Sequence, residues 1–151
     1  MPFSFAYHFA PAALMDALEV YRDAFVPSDD LAAPYVMLGV SVACAETVER
    51  ARWLAAPGAL AFLRLRSGRP DVYPTPEEAA EYQFTPAERE YVKGWTGSHV
   101  VGDPALVHQG LSDLVARTGA DELMVSTMVH SHEDRVESYR LVAEACIRRA
   151  V

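Results

Sequence analysis

Val100–Val129 reads VVGDPALVHQGLSDLVARTGADELMVSTMV, and its grammar is that of a helix delivering a strand. After the apolar lead-in VV, Asp103 can cap a helix whose first residue is Pro104, where a missing N–H costs nothing. Leu106, Val107, Leu111, Leu114 and Val115 then fall on one helical face. Gly119 stands where a left-handed residue closes a helix. Leu123–Val129 is almost continuously apolar, the pattern of a strand covered on both faces. A helix followed by such a strand is the repeating unit of a parallel α/β sheet.

The same unit recurs on both sides. Phe3–Phe9, bounded by Pro2 and Pro11, reads as a strand, and Ala12–Phe25 as a helix striped by Leu14, Leu18, Tyr21 and Phe25. Val26–Pro34 is a loop. Tyr35–Ala45, YVMLGVSVACA, reads as a second strand buried on both faces. Glu46 to about Leu65 has a helical pattern, but Pro57-Gly58 inside it predicts a kink or a break into two helices. Ser67–Pro74 is a loop. Thr75-Pro76-Glu77-Glu78 and Thr85-Pro86-Ala87-Glu88 are capping boxes that start short helices at Pro76–Tyr82 and Pro86 to about Trp95. Ser131 opens a last helix running to about Arg149, with Arg148 and Arg149 at the negative end of its dipole. The expectation is one α/β domain over residues 1–151, with about three parallel strands, each followed by helix, and a helical excursion at about 55–97.

Composition narrows the function. The chain has 151 residues, 51% of them apolar and 23% charged, which suits a folded domain. Its formal net charge of −8 argues against nucleic acid and against an anionic membrane surface. The N-terminus lacks the basic region of a signal peptide, and no apolar run reaches the ~20 residues of a membrane span. Cys44 and Cys146 lie in apolar stretches, which predicts reduced thiols in a cytoplasmic protein. No phosphate loop, dinucleotide-binding glycine set, nucleophile elbow or zinc motif appears.

Four segments, in order, carry a resemblance: FSFAYHFAPAAL (Phe3–Leu14), PYVMLGVSVACAETVERA (Pro34–Ala51), VVGDPALVHQGL (Val100–Leu111) and GADELMVSTMVHSHEDRVESYRLVAE (Gly119–Glu144). They resemble the C-terminal part of bacterial luciferase-like monooxygenases, flavin-dependent enzymes built on a (β/α)8 barrel. Only about Ala55–Thr96 is poorly matched. The resemblance implies a partial TIM barrel, its sixth to eighth strands with their helices, where a whole barrel takes about 250 residues. It implies FMN as cofactor, although in the family the preceding strands carry most of the flavin contacts. Three parallel strands cannot close a barrel, so an exposed apolar sheet face and an open edge would remain, which predicts a homo-oligomer. The alternatives are a non-catalytic oligomeric derivative that has lost flavin binding, or a fragment of a longer enzyme.

Ligands of parallel α/β folds bind at the C-terminal ends of strands. Those ends hold Tyr7 and His8, then Val42–Cys44, then Ser126–His130. His8 is the catalytic candidate, as a proton donor or a contact to the flavin ring edge; the plainer reading is a half-buried histidine hydrogen-bonded to a neighbouring loop. Tyr7 and Ser126 are the candidate cofactor contacts. His130 and His132 straddle a helix start with no third ligand at metal spacing, so capping and solvent contact are expected and no metal. Arg64, Arg66 and Arg69 read as charge complementing a helix C-terminus rather than a phosphate site. Trp53, Trp95, Met124 and Met128 are expected in the core.

Overall fold

The computed structural model describes residues 1–147. Arg148 and Arg149 lie outside the described residues. The elements in order are β1 (Phe3–Phe5), α1 (Leu14–Asp23), β2 (Val36–Cys44), α2 (Val48–Arg66), α3 (Pro76–Glu81), α4 (Pro86–Thr96), β3 (Val100–Gly102), α5 (Pro104–Thr118), β4 (Glu122–Ser126) and α6 (His132–Cys146). The capping signals act as the sequence implies. Thr75 and Thr85 close complete capping boxes, Asp103 accepts from Leu106 N–H, and Gly119 ends α5 at φ +60°.

β2 is the centre of a parallel sheet and pairs with β1, β3 and β4. Gly39 C=O accepts from His8 N–H beyond β1, and Ala45 N–H donates to Gly102 C=O in β3. Residues of one parity point to one edge of a strand, so β1 and β3 share an edge of β2, end to end. β4 holds the opposite edge, where Asp121 clamps the start of β2: its carboxylate accepts from Val36 N–H at 2.8 Å and its N–H donates to Val36 C=O at 2.9 Å.

Several expectations need correction. The apolar lead-in Val100–Gly102 is itself a strand, making four strands rather than three. β1 ends at Phe5, because Tyr7-His8-Phe9 turns away, and β4 ends at Ser126 rather than Val129. Neither long strand is apolar on both faces. Val36, Leu38, Val40 and Val42 face a core shared with Leu14 and Leu18 of α1, Val107, Leu111 and Leu114 of α5, and Leu141 and Val142 of α6. On the other face the rungs are Ser4 beside Met37, Met37 beside Glu122, Gly39 beside Met124 and Ser41 beside Ser126. That face is small and polar, relieved by methionine, and Met124 is 57% exposed.

α2 does not break. It runs unbroken through Pro57, whose ring is fully buried. Proline forfeits one helix hydrogen bond, but burying the ring in packed apolar surroundings offsets part of that loss. Cys44 and Cys146 are both free thiols, and burial pushes Cys44 up to about 11. At neutral pH Cys44 is therefore an inert, protonated core side chain. Among the described residues, no helix is long and apolar enough to cross a membrane.

Candidate functional site

The open sheet face is covered only near the C-terminal ends of the strands, where α2 and the excursion leave a cavity of about 220 Å³. Its floor comes from the sheet: His8 after β1, Ser41 and Ala43 of β2, Val101 of β3 and Ser126 of β4. Its wall is one face of α2, on which Ala55, Gly58 and Ala61 recur at helical spacing and leave room that larger side chains would fill. Phe62 and Leu65 continue that wall, and Tyr73, Trp95 and His99 close it from the excursion.

The excursion is tied down on the far side as well. Tyr73 Oη donates to Met128 C=O at 2.8 Å, and His130 Nδ1 donates to Tyr73 C=O at 3.3 Å. Burial pushes the Tyr73 phenol up to about 12, so it remains a donor across the neutral range. Tyr139 Oη of α6 accepts from Thr127 N–H at 2.9 Å, fixing the chain just after β4.

His8 is held in two ways. Its Nδ1 lies 2.9 Å from Gly39 C=O. A carbonyl can only accept, so Nδ1 carries a proton, and in the neutral ring Nε2 is then the acceptor. A Cβ at position 39 would sit 3.0 Å from His8 Cε1 and 3.1 Å from Nδ1, so the ring occupies space that glycine leaves. The structure thus brings His8 and Ser126 to one cavity. It places Tyr7 elsewhere: Tyr7 packs with Phe3 and Phe5 against the helical core, and its Oη lies 3.4 Å from Arg117. The two neighbours separate where the chain leaves β1 and turns at Tyr7-His8-Phe9, with Phe9 N–H donating to Ala6 C=O.

Trp95 and His99 were not among the sequence candidates, and both line the cavity. Trp95 stacks on Phe62 at 4.4 Å with the rings parallel to within 1°, and meets His99 edge-on at 4.2 Å. Trp95 Nε1 and His99 Nε2 are buried without a hydrogen-bond partner among the described residues. Burial, aided by the neighbouring His8, holds His99 down at about 4, so its ring is neutral at neutral pH. Expected in the core, Trp95 and Met128 instead line the cavity, while Trp53 is 37% and Met124 57% exposed.

The remaining candidates are structural. Ser131 caps α6 by accepting from Asp134 N–H, and His132 Nδ1 accepts from Arg135. Among the described residues no cluster of ligands could hold a metal ion. Arg64 lies 3.9 Å from the Asp71 carboxylate, and Arg66 donates to Tyr91 Oη. Arg64 and Arg66 thus tie the last turn of α2 to the excursion.

A parallel sheet with a cavity over its strand C-termini is the layout of ligand-binding and catalytic α/β proteins. No family profile matches the chain. It is 40% identical over 144 residues to the uncharacterized protein YvbT of Bacillus subtilis, a match covering 95% of this chain and 43% of YvbT. It is 35% identical over 144 residues to a luciferase-like monooxygenase of Escherichia coli, again 95% of this chain and 43% of that protein. The crystal structure of apo-MsnO8 superposes with a TM-score of 0.78 at 33% identity, over 96% of this chain and 44% of MsnO8. The monooxygenase RslO1 of Streptomyces bottropensis, at 18% identity and a TM-score of 0.59, shares the fold. The chain spans less than half the length of these relatives. Sequence and structure together relate it to a luciferase-like, monooxygenase-related family.

Proposed function

We propose that this chain supplies the substrate-facing wall of a luciferase-like monooxygenase site, on the sixth to eighth strand–helix units of a (β/α)8-type barrel. The observation that carries this reading is the cavity itself, an apolar chamber at the strand C-termini with His8 fixed on its floor by Gly39. With Nδ1 bound to Gly39 C=O, Nε2 is the ring nitrogen of His8 left to exchange a proton with a ligand.

Flavin mononucleotide is the cofactor we propose for the complete site; reduced flavin would supply the electrons that activate molecular oxygen. The residues present fit it in part. The cavity offers apolar surface, but no lysine or arginine lines it, and its 220 Å³ falls below the ~300–1,000 Å³ usual for a whole ligand of drug size. The flavin phosphate would have to be held by groups other than these. Titration of the purified chain with FMN, followed by flavin fluorescence, tests the reading. Saturable quenching in the range of tens of micromolar supports it, and no quenching up to about 100 μM overturns it for this chain.

One observation favours the non-catalytic reading as a second proposal. Beside the edge of β4 that pairs with no strand among the described residues lies an open groove of about 620 Å³ between α5 and α6, lined by Leu111, Val115, Leu123, Val125 and Val142. A second copy of the chain would cover it, giving an oligomeric binding protein.

A further inference from the structure

We propose that Ser41, Ser126 and His8 form a hydroxyl-recognition site on the cavity floor, selecting a mainly apolar phenol or alcohol of one ring. The inference rests on reading the cavity as a ligand site, and it does not require that flavin be bound.

Ser41 of β2 and Ser126 of β4 are direct register partners. Adjacent strands lie about 5 Å apart, so two such side chains on one face stand side by side. Both line the cavity. Neither hydroxyl is hydrogen-bonded to another group among the described residues. Unlike the ring nitrogens of Trp95 and His99, neither is shut away from solvent. Gly39 stands two residues before Ser41 on the same face of β2, about 7 Å away, and the His8 ring lies over it. Nδ1 of that ring is taken by Gly39 C=O, while Nε2 is both unpartnered and open. Three accessible polar atoms on the cavity floor therefore wait for a partner, and a ligand atom placed among them supplies the bonds that the protein leaves unmade.

The chemistry of the ligand follows from what these atoms can do together. In the neutral ring Nε2 accepts, and each serine hydroxyl can donate. One ligand hydroxyl answers all three: its hydrogen goes to Nε2, and its oxygen accepts from the serines. A carbonyl or ether oxygen would leave Nε2 unpaired. No lysine or arginine lines the cavity and the His99 ring is neutral, so a carboxylate could be matched only by a further proton on His8. A hydroxyl needs no charge on either side. The rest of the ligand meets Ala55, Phe62, Leu65 and Trp95, which are apolar where they face it. Size sets its extent: an apolar cavity of about 150 Å³ takes up benzene, so 220 Å³ admits one ring with a short substituent.

Calorimetric titration of the full chain near neutral pH compares p-cresol with p-xylene, in which a methyl replaces the hydroxyl, and with p-toluate, which carries a carboxylate. p-Cresol is expected to bind, p-xylene to be weaker by about 10-fold or more, and p-toluate to be no tighter than p-xylene. Ser41→Ala and Ser126→Ala should each weaken p-cresol several-fold and leave p-xylene unchanged. In ¹⁵N spectra p-cresol should move the His8 Nε2 resonance upfield, the sign of a bond donated to an unprotonated ring nitrogen, and p-xylene should leave it in place. Equal affinity for p-cresol and p-xylene would overturn the proposal, as would p-toluate binding as tightly as p-cresol, which would make the floor an anion site on a charged His8. An unmoved Nε2 resonance, serine variants that leave the ratio of the two neutral affinities unaltered, or no binding at millimolar p-cresol would each do the same. A chain that binds p-cresol but does not quench FMN keeps this inference and loses the flavin reading; one that quenches FMN without binding p-cresol does the reverse.

Discussion

Replacing His99 by Phe should remove a pH dependence from the stability of the fold. The imidazole lies at about 4 in the folded chain against 6.5 when free, lowered first by burial and then by His8. Between those values the unfolded chain binds the proton and the folded chain does not, so stability rises with pH across the window. The contribution is complete above pH 6.5 and is lost as pH falls towards 4. Two and a half pH units would correspond to about 3 kcal/mol, and because the ring is half-buried, solvent screening reduces this to about 2 kcal/mol. Glu88, Glu133 and Glu137 are held below the usual carboxylate range by hydrogen bonds. Their contributions fade mainly below pH 4.5 and are common to both proteins. Urea unfolding followed by circular dichroism at several pH values from 7 to 4.5 gives the comparison. The native chain should lose about 2 kcal/mol more than His99→Phe over that range. Parallel curves for the two proteins would refute the assignment of a buried, neutral His99.

Three further outcomes follow from particular contacts. Gly39→Ala should push the His8 ring off its carbonyl, since the new methyl would lie 3.0 Å from Cε1; the expected signs are shifted His8 ring resonances and a loss of about 1 kcal/mol, and unchanged resonances would contradict it. Ser138→Ala removes the buried acceptor, 2.9 Å away, of Cys44 N–H, and should cost about 1–3 kcal/mol in denaturant unfolding; a loss below about 0.5 kcal/mol would show that this amide finds another partner. If the groove beside β4 joins two copies, sedimentation equilibrium at micromolar concentration should give a mass above the 16.6 kDa of one chain, and a monomer at every concentration would remove the oligomer.

Much of the scaffold was legible because its signals are local. Thr75, Thr85, Asp103 and Gly119 act through bonds within one turn of their own positions. The sheet was harder. Met37, Gly39, Ser41 and Ala43 separate the buried valines and leucine of β2 without charge, so hydropathy scarcely alternates although burial does. β3 is three residues long and takes its identity from pairing with Val42–Cys44, a contact that spans the whole excursion. The cavity was least legible of all. His8 and Ser126 could be inferred from their places at strand ends, but Trp95 and His99 acquire their role only when α4 comes to rest against α2.

Pro57-Gly58 shows why that meeting escapes a local reading, and it yields a last prediction. Locally the pair is a penalty, one lost hydrogen bond and one unrestrained backbone, and the natural expectation is a break. In the fold the proline ring is buried, and Gly58 leaves the space into which Tyr73 and Trp95 project. A Cβ at 58 would meet Tyr73 Oη at 3.4 Å and the Trp95 ring at 3.6 Å, ordinary contact distances. Gly58→Ala should therefore restore helix propensity without strain, stabilising the chain by up to about 1 kcal/mol and leaving flavin quenching intact. Gly58→Leu should keep the helix, by circular dichroism, but fill the cavity and abolish binding. A destabilised Gly58→Ala would mean that α2 and α4 lie closer than described, and a Gly58→Leu chain that still quenches flavin fluorescence would mean that the ligand sits elsewhere. If both variants behave as expected, position 58 tolerates a side chain no larger than a methyl group beside Trp95.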